Sequence, residues 1–135
     1  MDASVAAKVF LREPLAEAAE IAFSPKHRLH APNFFLIEIH NVLLKKERRK
    51  EITFPQSEEI RISLSGLPVQ YHPFQYLLHT AHLKAREAGC SLYDGLYLAL
   101  AARLGCRMVT ADRRLFNNLL SGPFSKNILW VEDLK

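Results

Sequence analysis

Cysteine is scarce in this 135-residue chain: only Cys90 and Cys106 occur, each in or beside an apolar segment. They form no CxxC or Cys/His zinc spacing and are too few for a disulfide framework, so the composition suits a reducing cytoplasm. Long apolar runs are missing as well. Glu38 and Asp94 interrupt the most apolar stretches, and no window approaches the roughly 20 residues that a membrane span needs. Nothing at the amino terminus resembles a secretory signal. The five glycines build no phosphate-cradling loop, which argues against a nucleotide-binding doubly wound domain. Repeats, low-complexity tracts and linkers are absent too. Charge of one sign is barely in excess, at +4, which permits a nucleic-acid partner without demanding one.

What is present suffices for a single domain over residues 1–135, since 49% of the chain is hydrophobic and can bury a core. The stretch Ser91 to Leu115, SLYDGLYLALAARLGCRMVTADRRL, organises the rest. Leu92, Tyr93, Leu96, Tyr97, Leu100 and Leu104 recur at helical spacing with small alanines between them, as in a helix packed on a sheet. Gly105 ends that helix, and Met108-Val109-Thr110 reads as a short buried strand that delivers Asp112 into a turn. In open α/β sheets the working crevice lies beyond the carboxyl ends of the strands, which is where Asp112 falls.

Elsewhere helices alternate with short strands. Val5 to Leu11, Leu15 to Phe23, Asn33 to Lys50, Pro55 to Leu64, Gln75 to Ala88 and Arg113 to Leu120 read as helices. Leu29 to Ala31, Val69 to Tyr71 and Ile128 to Val131 read as strands. The alternation predicts an α/β fold of three layers, α/β/α, around one parallel sheet of four or five short strands.

Four acids stand in unusual places: Asp2 before the first helix, Glu38 inside Phe34-Phe35-Leu36-Ile37-Glu38-Ile39, Asp94 in an apolar helix, and Asp112 just past a strand. Three have ordinary readings as helix caps, with Ser91 and Asp94 at capping-box spacing. Glu38 resists that reading, because an unpaired carboxylate among apolar side chains costs several kcal/mol and needs a donor, a cation or a crevice. Asn41, three residues on, shares its face. No Ser/His/Asp or Cys/His pattern competes, and His79 with His82 lacks a third metal ligand nearby.

The segments DASVAAKVF, LIEIHNVL, SLYDGLYLALAARLG and VTADRRL together resemble the four acidic motifs of PIN-domain ribonucleases, especially the VapC toxins of toxin–antitoxin pairs. The resemblance implies that Asp2, Glu38, Asp94 and Asp112 form a catalytic, metal-binding cluster for Mg2+ or Mn2+, with Ser4, Asn41 and Thr110 as polar neighbours. It further implies an endoribonuclease acting on RNA, often tRNA or rRNA, held in check by a cognate antitoxin. The chemistry agrees, because carboxylates suit hard divalent ions and such ions hydrolyse phosphodiesters without a covalent intermediate. A second reading is a catalytically weak PIN-like module that binds an antitoxin and, with it, operator DNA.

Arg113 and Arg114, directly after Asp112, are placed to hold an RNA phosphate at the rim of the crevice. The run Lys45-Lys46-Glu47-Arg48-Arg49-Lys50 reads first as a solvated helix end. In the family the first acid ends a central apolar strand, whereas only Met1 precedes Asp2. The expectation is therefore a first strand truncated before Asp2, a cleft along the sheet, and an Asp2 that hangs from a mobile terminus. Glu38, Asp94 and Asp112 are expected to converge within a few ångströms at the sheet's carboxyl edge. Phe34, Phe35, Phe74, Tyr76 and Leu77 supply the apolar surface for an expected homodimer.

Overall fold

A computed structural model describes residues Met1–Lys135. Helices α1 (Ala3–Phe10) and α2 (Ala16–Ile21) lead to strand β1 (Leu29–Pro32), and α3 (Phe35–Arg48) and α4 (Phe54–Ser65) to β2 (Val69–His72). A 3-10 turn, Phe74–Leu77, opens onto α5 (Leu78–Ala88), which is followed by α6 (Leu92–Leu104) and β3 (Met108–Thr110). The chain closes with α7 (Arg113–Leu120) and β4 (Ile128–Trp130), each succeeded or preceded by a short 3-10 turn. Helix far outweighs strand in this α/β fold, and every strand spans only three or four residues.

Local chemistry sets the boundaries. Thr53 and Ser91 begin α4 and α6 with full capping boxes, which satisfy amide groups that the first helical turn leaves free. Gly89 and Gly105 end α5 and α6 in the left-handed region, at φ of 63° and 64°, where a side chain would be strained. At the far end of α3, Lys46 pairs with both Glu13 and Glu51, which ties the close of α1 to the close of α3. That basic run is thus in part a structural ion-pair cluster.

The expected single sheet is divided. β1 pairs in parallel with β2, Leu29 opposite Val69, and β3 pairs in parallel with β4, Met108 opposite Ile128, as two separate two-stranded sheets. Met1 and Asp2 bridge the gap. The terminal ammonium of Met1 donates to the His30 carbonyl at 3.1 Å, and the Asp2 amide donates to the Val109 carbonyl at 3.1 Å. These two contacts link β1 to β3 through the first two residues.

α6 packs on both β1 and β3 with α5 laid along it, while α1 contacts α2, α3 and β3. Seven consecutive residues of α6, Gly95 to Ala101, are buried. Val5, Phe35, Ile39, Leu43, Leu98, Met108 and Leu119 fill the centre with almost no exposed surface. Phe34, Phe35 and Leu77 also belong to this core and Phe74 packs against it, so of the residues assigned to a dimer surface only Tyr76 is open to solvent. Large aromatic residues next to a helix start look available in sequence, but β1 and α6 cover them.

Gly95 fixes the α5–α6 approach. A Cβ there would lie 2.5 Å from the Ala81 carbonyl oxygen and 2.9 Å from the Ala85 Cβ, and the first of these is backbone that cannot step aside cheaply. Gly95→Ala should therefore lower stability by about 1–3 kcal/mol despite its better helix propensity. Thermal denaturation of the two proteins reads this directly, and an unchanged midpoint would mean that the helices can separate without loss.

Candidate active site

Asp2 is the most enclosed of the four acids, with 6% of its surface exposed. It caps α1 and accepts from the Ser4 amide at 3.0 Å, from the Ser4 hydroxyl, and from the Thr110 hydroxyl. Those hydroxyls are anchored in turn: Ser4 Oγ accepts from the Ala111 amide at 2.9 Å, and Thr110 Oγ1 accepts from the Asp112 amide at 3.0 Å. Asp2 is thus a fixed member of the β3–α7 junction, which corrects the expectation of a loosely hung carboxylate. It is held because three donors converge on one buried group. Burial raises its pKa, while the bonds from Ser4 and Thr110 oppose the rise.

Glu38 lies in the first turn of α3, half-buried, and its Oε2 accepts from the phenol of Tyr97. Its pKa is pushed up to about 7, first by burial and then by the negative charges of Asp2 and Asp94, against the bond from Tyr97. Asp94 sits in the first turn of α6, where its Oδ2 accepts from the Ser91 amide at 3.3 Å and the Ser91 hydroxyl at 2.7 Å. Burial raises its pKa too, the Ser91 bonds work against that, and the charge of Asp112 adds to it. Asp112 caps α7, accepting from the amides of Arg114 at 2.8 Å and Leu115 at 3.1 Å.

The cap readings of Asp2, Asp94 and Asp112 are therefore real, and they coexist with a shared electrostatic site. Charge reaches from Asp2 to Glu38, from Glu38 to Asp94 and from Asp94 to Asp112. The side chains nonetheless form no tight set: no three acidic, histidine or cysteine residues stand close enough to hold one ion between them. Each carboxylate leans toward its own hydroxyl or amide partner, which is why the closer convergence expected for Glu38, Asp94 and Asp112 is not seen. Donor type and excess negative charge fit a hard divalent cation such as Mg2+ or Mn2+ at Asp2, Glu38, Asp94 and Asp112. Both oxygens of Asp2 are engaged by Ser4 and Thr110, whereas Glu38, Asp94 and Asp112 each keep one oxygen without a hydrogen bond.

The other expected residues separate into two groups. Ser4 and Thr110 hold Asp2, and Asn41 shares an apolar-walled groove with Glu38. Arg114 lines the same pocket as Asp94 and Asp112. Arg113 turns away, its guanidinium 3.6 Å from the centre of the Trp130 ring and 3.7 Å from Glu132, so it supports the fold and does not face the acids. His79 and His82 lie exposed on α5, away from any metal-binding group. Tyr97 was read from the sequence only as part of an apolar stripe. The signal for its role was its hydroxyl, one helical turn after Asp94 in an otherwise apolar helix.

Residues 1–119 match the PIN domain family model. The chain is 32% identical over 119 residues to Ribonuclease VapC3 of Pyrobaculum aerophilum, covering 85% of this chain and 89% of that protein. It is 30% identical over 121 residues to Ribonuclease VapC12 of Mycobacterium tuberculosis, covering 85% of this chain and 87% of that protein. The chain belongs to the PIN-domain family.

The raised pKa of Glu38 makes stability depend on pH. The native state binds this proton more tightly than the unfolded chain, so the contribution is complete below 4.5 and is lost as pH rises through about 7. Glu38 keeps a solvent-facing side, and screening there limits the effect to about 1 kcal/mol. In chelator, the wild-type protein is expected to melt lower at about pH 8 than at about pH 5, and Glu38→Gln to flatten that difference. An equal slope in the variant would place the titration on another group.

Proposed function

We propose that this chain is a metal-dependent endoribonuclease that hydrolyses RNA phosphodiester bonds and serves as the toxin of a toxin–antitoxin pair. One observation carries the reading: acids far apart in sequence come near one another, Asp94 and Asp112 lining one pocket and Glu38 half-buried where the charges of Asp2 and Asp94 reach it. The relatives named Ribonuclease VapC3 and Ribonuclease VapC12 match along most of the chain, which supports the same activity here. The weak-module alternative is not favoured, since the relatives matched along most of the chain are named ribonucleases.

In this reading Asp2, Glu38, Asp94 and Asp112 hold Mg2+ or Mn2+, which when bound supplies a more acidic water and offsets charge on the leaving oxygen. Asp2 is already ordered and dry, so it contributes a carboxylate at little entropic cost. Asp94 and Asp112 face the pocket that Arg114 lines, and that guanidinium is the residue placed to hold a phosphate beside the acids. Such a contact gives position and salt dependence with little choice of sequence, so a preference for tRNA or rRNA would be set by surfaces around it.

The antitoxin is assigned to the groove of about 750 Å3 between α3 and α4 that ends at Glu38. Ile37 and Phe54 stand 70% and 58% exposed along it, with Tyr93 and Leu44 beside them, more apolar surface than solvent contact alone explains. A homodimer would use the exposed Tyr76, Leu78 and Leu83 near α5 in place of the buried aromatics. The protein is proposed to work in the cytoplasm, with both cysteines free.

Asp94→Asn is the direct test, because asparagine keeps an acceptor for Ser91 and so keeps the start of α6. The variant should unfold near the wild-type midpoint and lose RNA cleavage by at least about 100-fold at saturating Mg2+, the scale of removing one electrostatic group from such a site. Cleavage within a few-fold of wild type would remove Asp94 from the chemistry.

A further inference from the structure

The structure assigns Tyr97 as the positioning residue for Glu38: its buried phenol holds one carboxylate oxygen and leaves the other without a protein partner. Tyr97 donates to Oε2 of Glu38, and no other side chain or backbone group bonds that carboxylate. Oε1 is left free. The inference rests on the reading that these acids bind a divalent cation, and it names the residue that makes Glu38 ready to do so.

Tyr97 is well built for this. It is 3% exposed, six residues after Ser91 on the buried face of α6, and its ring lies 5.2 Å from that of Phe34 at a 55° tilt. Phe34 in turn stacks near Tyr93 at 5.6 Å and meets Phe74 edge-on at 6.4 Å, so the phenol sits in an aromatic frame that leaves it no alternative rotamer without opening the core. Glu38 has the opposite character. Its chain is long, its neighbours Ile37 and Asn41 are exposed, and it would lose considerable rotamer freedom on binding an ion. A fixed phenol removes that cost before the ion arrives, in the way that hydrogen-bond partners of metal ligands generally orient them.

The test compares Mn2+ binding, read from the free-ion electron paramagnetic resonance signal, in wild type, Tyr97→Phe, Glu38→Gln and Phe34→Leu, each with its thermal midpoint. Phe34→Leu loosens the same packing without touching the hydrogen bond, so it reports what a merely structural role would do. Tyr97→Phe is expected to weaken Mn2+ binding about 10-fold. Phe34→Leu should melt lower yet bind Mn2+ as wild type does. RNA cleavage by Tyr97→Phe should fall in kcat more than in KM and recover at raised Mn2+, whereas Glu38→Gln should not recover. If Tyr97→Phe binds Mn2+ as tightly as wild type while Glu38→Gln binds weakly, Tyr97 has no positioning role. If Tyr97→Phe and Phe34→Leu weaken binding equally, the effect is packing alone and the inference fails. Wild-type protein that binds no Mn2+, or binds it as well with Glu38→Gln, would overturn the metal-site reading and this inference together.

Discussion

Everything at the centre of this molecule depends on one buried carboxylate, Asp2, and the hydroxyls that satisfy it. Thr110 at the end of β3 and Ser4 in α1 donate to it, while their oxygens take the amides of Asp112 and Ala111. Strand end, helix start and turn are thereby locked into one hydrogen-bonded unit. Left unsatisfied, an acid this enclosed would cost several kcal/mol, so the donors and the acid specify one another. The same contact joins the two half-sheets, because Asp2 can reach Thr110 only if its amide lies on Val109 and Met1 lies on His30.

A second constraint follows from concentrating negative charge beside that unit. Three carboxylates with raised pKa occupy one region, and each is quieted by a single class of partner: Ser4 and Thr110 for Asp2, Tyr97 for Glu38, Ser91 for Asp94. Hydroxyl donors stabilise carboxylates without neutralising them. The site therefore stays electrostatically unsatisfied, a state that structural ion pairs such as Glu13 with Lys8 and Lys46 do not share. Burial, with added repulsion from neighbouring acids at Glu38 and Asp94, disfavours the charged carboxylates, and a bound cation would offset that cost.

Much of this was legible in the sequence where local rules dominate. Apolar periodicity with Ser91 and Gly105 at its ends marks α6 within a residue, and Gly89 closes α5 for the same reason. The α/β class was legible in the alternation and Glu38 as a charge in an apolar helix, whereas Asp2, Asp94 and Asp112 stood out as a set only through the resemblance to the PIN-domain motifs. What depends on contacts between distant segments was not. Nothing in Met1-Asp2 shows that these residues link β1 to β3, because that follows from the spacing of His30 and Val109 in space. Phe34 and Phe35 read as surface until α6 covers them, and Arg113 reads as a phosphate ligand until Trp130 takes it. Tyr97 escaped notice because a tyrosine in an apolar stripe satisfies periodicity whether or not its hydroxyl has work to do.

The central claim is that folding assembles an acid cluster whose repulsion a divalent cation relieves. Following the thermal midpoint against Mn2+ concentration at about pH 8, where all the carboxylates seek to ionise, tests it without any substrate. The account predicts a midpoint that climbs with the logarithm of Mn2+, reaching about 2.7 kcal/mol of added stability at roughly a hundredfold excess over Kd. A midpoint indifferent to Mn2+ across that range would contradict it, and would leave these four acids as helix caps and nothing more.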